Sequence, residues 1–245
     1  MSHGAAPAGA RDSAEAARWV REMFARISRR YDLLNHLLSF NQDRRWRALA
    51  VRRLRRRLST PGLRALDICC GTGDLLRELQ REIERAGARG LIIGSDFCHP
   101  MLLEARRKLP AALLVEADAL ELPLPDGCLD LITVAFGLRN LADYGRGLAE
   151  MRRLLRPSGV AAILEFSRPA SAVLRAGYAL YSRAVLPAVG GLVSGSGEAY
   201  RYLPASVRRF PGPEALAESM RAAGFKQVCV ETITGGIVAL HLGTA

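Results

Sequence analysis

Ala65-Leu66-Asp67-Ile68-Cys69-Cys70-Gly71-Thr72-Gly73-Asp74-Leu75-Leu76 is the stretch whose reading decides the fold. An apolar run carrying one acidic residue turns through Gly-x-Gly and resumes as a helical pattern. That is the order of a first strand, a tight turn and a first helix in a doubly wound α/β domain. Gly71 and Gly73 let the backbone come close to a ligand where a Cβ would intrude. A nicotinamide dinucleotide fingerprint would carry a third glycine where Leu76 stands, and a phosphate loop would continue into Gly-Lys-Ser/Thr, which is absent. A nucleoside ligand without a pyrophosphate is left, and S-adenosyl-L-methionine is the commonest of these.

Outward from this turn the chain alternates strand and helix, as a parallel sheet requires. Strands are expected at Arg64–Ile68, Leu91–Asp96, Ala112–Glu116, Leu129–Ala135 and Val160–Phe166, with helices at Asp74–Ala86, Pro100–Lys108 and Tyr144–Leu155 between them. A helical insert begins at Ser171–Leu186, within a substrate segment spanning 170–212 that also holds a Gly/Ser-rich stretch at Gly190–Gly197. A helix at Pro213–Ala223 then leads to an antiparallel hairpin, Lys226–Thr232 and Gly236–Leu242. The expected fold is therefore α/β, a Rossmann-like seven-stranded sheet with helices on both faces, the class I S-adenosylmethionine-dependent methyltransferase arrangement. One domain over 19–245 accommodates it, with N-terminal helices over 19–58 and a flexible, Ala/Gly-rich tail over 1–18.

The composition is globular, with 49% hydrophobic and 24% charged residues in 245. Five cysteines, two of them adjacent and none in Cys-x-x-Cys spacing, exclude a disulfide framework and suit a reducing, cytoplasmic setting. The four histidines show no ligand spacing, so no metal is expected. No segment is an uninterrupted apolar span; Ala172 to Val193 is broken by Arg175, Arg183 and Pro187. The net charge of +11 is concentrated between Arg44 and Arg57, where eight arginines interleave with Trp46, Leu49, Ala50, Leu54 and Leu58 at helical spacing. That pattern suits an anionic membrane surface, or equally a helix packed on the domain with a solvated basic face. No RNA-binding module or further basic-aromatic stripe accompanies it, so no nucleic-acid partner is expected.

Polar residues stand at the carboxyl ends of successive strands, where open α/β sheets bind ligands. Asp96, after the second strand, can accept both ribose hydroxyls. Asp118 and Ala119, after the third, can meet the adenine amino group and a ring nitrogen. Thr72 in the turn can donate through its hydroxyl or its backbone. Asp67 orients the turn or binds the cationic methionine end through water, and Asp74 reads as a first-turn helix carboxylate.

Three further segments narrow the class. Ala135-Phe136-Gly137-Leu138-Arg139-Asn140 follows the fourth strand, Leu164-Glu165-Phe166-Ser167-Arg168-Pro169 the fifth, and Tyr200-Arg201-Tyr202-Leu203-Pro204 stands late in the chain. With Ser28-Arg29-Arg30-Tyr31-Asp32-Leu33-Leu34-Asn35, these closely resemble the menaquinone/ubiquinone biosynthesis C-methyltransferase family, from about Phe24 to Leu242. The resemblance implies C-methylation of a prenylated quinol, either 2-demethylmenaquinol, the ubiquinone precursor or a demethylated phylloquinone. It implies cofactor contacts at Thr72, Asp96, Asp118 and Ala119, and a further one at Ala135, where the family often carries serine and only the backbone can serve here. Arg139 is then expected to stabilise a developing phenolate and Asn140 to orient a ring hydroxyl. Tyr31, Tyr200, Arg201 and Tyr202 are expected as pocket walls or proton handlers. A lipid substrate implies peripheral association with the inner face of the cytoplasmic membrane; self-association into a homo-oligomer stays open on the sequence. A small-molecule or RNA methyltransferase on the same fold, or a scaffold retaining a relic pocket, are the alternatives.

Overall fold

A computed structural model of the chain describes residues 4, 5, 7, 10–169, 171–181 and 197–245. Its strands are β1 (Leu63–Ile68), β2 (Gly90–Asp96), β3 (Leu113–Glu116), β4 (Leu129–Ala135), β5 (Leu155–Phe166), β6 (Lys226–Ile233) and β7 (Val238–Thr244). Among the described residues they form one sheet in the order β3-β2-β1-β4-β5-β7-β6. All pairs from β3 to β5 are parallel, and β7 runs antiparallel between β5 and β6. The strand order runs outward in opposite directions from the β1–β4 pair, so the carboxyl ends of β1 and β4 open a crevice there.

The central strands are continuous apolar runs because both faces are covered. One face packs Leu66, Ile68, Ile132, Val134 and Ile163 against α7 (Tyr144–Leu154) and a later helix, Pro213–Ala222. The other packs Ala65, Leu131 and Ala162 against Leu75, Leu76 and Leu79 of α5 (Asp74–Arg85), with Val51, Leu54 and Leu58 from the arginine-rich segment. Gly94 of β2 lies under α5, where a Cβ would come within 2.8 Å of the Leu76 side chain. β5 starts five residues earlier than expected because Leu155 already pairs with Leu129 ahead of a bulge. β7 starts two residues later, since Thr234, Gly235 and Gly236 all take positive φ in the hairpin turn.

The N-terminal region departs further from expectation. Helix α1 (Ser13–Ile27) begins within the stretch expected to be tail, with Asp12 capping it by accepting from the Glu15 amide at 2.7 Å. Ahead of it Ala5 is buried and donates its amide to the Leu141 carbonyl at 2.7 Å. Within the span 19–58 expected to hold N-terminal helices, the chain is interrupted at Ser28–Arg30, where the Ser28 hydroxyl bonds the Ala25 carbonyl; α2 (Tyr31–Leu38) then sets off anew. The arginine-rich segment forms α3 (Gln42–Arg53) and α4 (Arg55–Leu58). Of the insert, α8 (Ala172–Leu180) and α9 (Gly197–Arg209) are described, whereas most of the Gly/Ser-rich stretch lies outside the described residues. No helix among the described residues is long and apolar enough to cross a membrane.

Candidate active site

The glycine turn leaves β1 with Cys69, Gly71 and Gly73 at φ 50°, 55° and 84°. The Cys70 amide donates to the Ser95 carbonyl and the Gly73 amide to the Cys70 carbonyl, both at 2.9 Å, so the loop curls over the end of β2. Asp96 stands at that end. One of its oxygens accepts from the Gly71 amide and the other from the Cys98 amide, each at 2.9 Å. Burial pushes its carboxyl up to about 6, against these backbone bonds. The bonds fix the carboxylate while leaving it lone pairs for ribose hydroxyls. Gly137 packs against the same turn: a Cβ there would lie 2.4 Å from Cys69 Cβ, so the segment after β4 can approach only because it carries glycine.

Asp96, Asp118, Ala119 and Ala135 all line one hollow, with Gly71, Phe97, Met101 and Leu120, of about 720 Å³ empty volume including its mouth. Asp118 caps its own turn, accepting from the Leu120 amide at 2.9 Å, and also faces this space. Ala17 of α1, inside the stretch expected to be tail, lines it too. Behind Gly71 a smaller hollow of about 320 Å³ is lined by Asp67, Thr72, Asp74, Tyr31 and Arg47. Asp67 accepts from the Thr133 hydroxyl at 2.6 Å through one oxygen; the other is buried without a partner among the described residues, and burial pushes the carboxyl up to about 7. Asp67 lines that hollow, and a carboxylate there fits the ammonium of a methionine group. Thr72 contributes less than expected. Its hydroxyl is committed to Asp32 of α2 at 2.5 Å, which leaves the backbone for a ligand. Gly73 lines neither hollow and serves as the N-cap of α5.

The fourth strand's exit joins this polar crevice to a larger cavity, of about 1830 Å³ empty volume with its mouth. Phe24, Tyr31, Phe136 and Asn140 border both spaces. Met23, Ile27, Leu38, Trp46, Phe166 and Ile237 make the larger one predominantly apolar. Arg139 is buried at the junction. Its Nη1 donates to both oxygens of Glu165, at 3.0 and 3.2 Å, and to the Phe136 carbonyl, while its guanidinium lies 5.2 Å from the Phe166 ring centre. Glu165 also accepts from the Arg139 and Phe166 amides, at 3.2 and 2.9 Å. Arg139 Nε has no partner among the described residues. Asn140 accepts from the Tyr202 hydroxyl at 3.3 Å and donates to the Phe136 carbonyl at the same distance. Burial raises the Tyr31 and Tyr202 hydroxyls above the ordinary range, against the pull of the Arg139 charge. Tyr200 and Arg201 belong to α9, and their side chains lie outside the described residues.

Two charged residues escaped the reading of the sequence. Arg47, read there as part of a surface-seeking basic run, is buried and donates to Asp43 at 2.6 Å, with its guanidinium 5.3 Å from the Phe136 ring centre. The signal was its phase, since Arg47, Ala50, Val51, Leu54 and Leu58 share one helical face. Glu165 was quoted but given no role, although a carboxylate inside an apolar strand needs a buried partner. The other face of the basic run is partly spoken for as well: Arg53 pairs with Glu231 at 2.8 Å and Arg55 with Glu82 at 2.7 Å. Trp46 donates to the Thr234 hydroxyl at 2.8 Å, so this helix is a wall of the cavity. The structure also brings His36, Asp43 and Asp74 within 4.8 Å, which spacing in the sequence did not suggest. Ser39, Arg47 and Lys108 hold those carboxylates at 2.7, 2.6 and 2.9 Å, so the cluster is an ion-pair network bracing α2, α3 and α5.

The sheet order, the glycine turn and the carboxylate at the end of β2 define a class I S-adenosylmethionine-dependent methyltransferase fold. A SAM-dependent methyltransferase from Thermotoga maritima superposes with a TM-score of 0.59 at 19% identity, over 90% of this chain and 99% of that one. The chain belongs to the ubiE/COQ5 methyltransferase family, which matches residues 11–245. A demethylmenaquinone methyltransferase from Thermus thermophilus is 50% identical over 226 residues, 90% of this chain and 99% of its own length. The protein of the same name from Deinococcus radiodurans is 46% identical over 236 residues, 95% of each chain.

Proposed function

We propose that this chain methylates a ring carbon of a prenylated demethylmenaquinol to give menaquinol, in respiratory quinone biosynthesis. The observation that carries the reading is the large apolar cavity that meets the polar crevice at Phe136 and Asn140, with Arg139 buried at the junction. A ring with a hydrocarbon tail matches the cavity, and the relatives at 40–50% identity bear the demethylmenaquinone methyltransferase name.

When bound, S-adenosyl-L-methionine supplies an electrophilic methyl group on a sulfonium. Asp96 would hold the ribose, Asp118 and the Ala119 backbone the adenine, and the Ala135 backbone, which borders both hollows, would give a further contact. Asp67 receives the ammonium end, and Arg47 faces the same small hollow with a fixed positive charge suited to the carboxylate of the methionine group. A quinol carbon becomes nucleophilic as the neighbouring phenol gives up its proton, so the reduced ring is the substrate. Arg139 lowers the cost of that anion. Guanidinium stays protonated throughout and supplies a fixed positive charge beside the ring, with Nη1 held by Glu165 and the Phe136 carbonyl. Tyr31 and Tyr202, kept neutral by burial, offer hydroxyls to ring oxygens, and Asn140 aligns Tyr202. The apolar walls exclude water, which strengthens each of these contacts. The tail explains a peripheral place at an anionic membrane.

The decisive experiment incubates the protein with S-adenosyl-L-methionine and a short-tailed demethylnaphthoquinol under reductant, and reads product mass. Methylated quinol should form only with reductant present, and Arg139→Lys should lower turnover at least about tenfold with cofactor affinity unchanged. Methylation of the oxidised quinone, or of a benzoquinol in preference, overturns the substrate assignment.

A further inference from the structure

The surface around the mouth of the quinol cavity carries an apolar cluster that nothing in the catalytic account requires. Phe40 is 74% exposed, Leu33 61%, Leu37 50% and Leu174 45%. Leaving four large apolar side chains together in water is unfavourable unless something covers them. Their placement is specific. Leu33 and Leu37 stand one turn apart on the outer side of α2, while Tyr31, Asn35 and Leu38 of the same helix line the cavity. Phe40 and Leu174 are both exposed and lining, so they form the rim itself. Phe40 is held outward by a turn in which it and Asn41 take φ 52° and 58°, a conformation that non-glycine residues rarely adopt. The rim is braced across its two sides: Tyr181, just past α8, donates to the Leu38 carbonyl at 2.6 Å and its ring lies 6.1 Å from that of Phe40.

The charge around the rim has one sign. From Arg26 to Arg45 the chain carries five arginines and two acidic residues, Asp32 and Asp43. Both acids are engaged internally, Asp32 with Thr72 and Lys108, Asp43 with Ser39 and Arg47. Exposed Arg29 and Arg30 precede the leucine pair by about a turn, and exposed Arg44 and Arg45 follow Phe40 by four and five residues. An apolar tip ringed by cations is the pattern for a surface that is anionic at headgroup level and hydrocarbon beneath.

We propose that Leu33, Leu37, Phe40 and Leu174 form a membrane-insertion tip that seats the cavity mouth in the acyl region of an anionic bilayer, so that the quinol tail passes laterally from lipid into the cavity. This rests on the lipid-quinol reading of the cavity and adds where the bilayer sits: on the α2 tip and α8, and not on the arginine face of Arg52 to Arg57. A second copy of the chain is the competing occupant, and a tip buried between copies would leave the mouth closed to lipid.

The test uses the full chain and vesicles of phosphatidylethanolamine and phosphatidylglycerol with brominated acyl chains. Phe40→Trp should give tryptophan emission that these vesicles quench, relative to unbrominated ones, beyond any change seen in the wild type. Leu33→Asp with Leu37→Asp should cut vesicle sedimentation about tenfold and slow methylation of a long-tailed quinol carried in vesicles. Turnover of a tail-less, soluble quinol should stay within about twofold, which also shows that the variant is folded. Leu91→Asp, at an exposed position on β2, should change neither. Emission from the Phe40→Trp variant that is quenched no more than the wild type's, or unchanged sedimentation of the double variant, overturns the insertion tip. A wild type that dimerises through the tip, seen as a halved mass in the double variant with vesicle binding unchanged, assigns the patch to a second copy. Absence of turnover on every quinol in the wild type would instead remove the substrate reading, while the quenching still reports on the tip.

Discussion

The polar hollow proposed for the cofactor and the apolar cavity proposed for the quinol share four residues, yet they are assembled differently. The first is made by strand ends and the loops that follow them, with Gly71, Asp96, Asp118 and Ala135 supplied by successive turns of one sheet. Its polar groups are held by backbone amides of the strand-end turns, as at Asp96, which accepts from Cys98 just after its own strand and from Gly71 in the turn after the neighbouring one. The second is roofed by α1, α2, α3, α8 and α9, and closed by Thr234 and Ile237 of the hairpin turn. Its charged groups are set by contacts between elements. Arg139 pairs with Glu165 of β5, and Arg47, held by Asp43 of its own helix, faces Phe136 across the fold. A nucleoside is the same for every enzyme of this class and can be read by the shared geometry of a sheet. A particular acceptor needs a wall of its own, and here that wall is made of added helices.

This contrast can be broken most severely at Glu165. Glu165→Ala would leave the Arg139 charge buried without its carboxylate, and should cost about 3–5 kcal/mol of unfolding free energy. Chemical denaturation reads this directly, and a loss below about 1 kcal/mol would mean that the quinol side is not held by the pair.

The next effect lies on the cofactor side. Asp96→Asn should weaken S-adenosyl-L-methionine binding by roughly 1.5–3 kcal/mol, as a charged acceptor becomes neutral. It should also flatten the pH dependence measured by calorimetry. In the wild type, affinity should rise as pH increases through about 6, where the Asp96 carboxyl ionises, with a further change near 7 from Asp67. Folding stability without ligand has the opposite dependence. Both carboxyls lie above their ordinary value of 3.8 when folded, so folding takes up protons and the stability they contribute is complete below that value. It is lost as pH rises through about 6 and then about 7. Equal slopes in Asp96→Asn and the wild type would take Asp96 out of the ribose site.

The smallest effect is expected on the outer face of the basic run. Arg52 and Arg56 are exposed, away from the rim formed by Phe40 and Leu174. Replacing both with Gln should leave binding to anionic vesicles within about threefold, since each screened charge contributes at most about 1 kcal/mol and only when it reaches the surface. A loss of about thirtyfold, the full contribution of two charges at the surface, would move the dock to this face.

The stretch from Ala65 to Leu76 carried the fold, because a parallel strand buried on both faces must be apolar and a turn that hugs a ligand must carry glycine. The seven strands lie at or within a few residues of the expected positions, and the residues expected at the cofactor, Gly73 excepted, border the two hollows beside β1. These features are local: each depends on side chains within a few residues of one strand end. What the tertiary structure alone decided is which charges are inside. The arginines of the basic run look alike in sequence, but packing α3 over Phe136 buries Arg47 and sends its neighbours Arg44, Arg45 and Arg52 to solvent. The partner of Arg139 lies twenty-six residues away on the adjacent strand, and the hydroxyl of Thr72 is taken by Asp32 from a helix forty residues earlier. Such pairings are fixed by the register of the sheet and the way the added helices cross it, and no spacing along the chain encodes them.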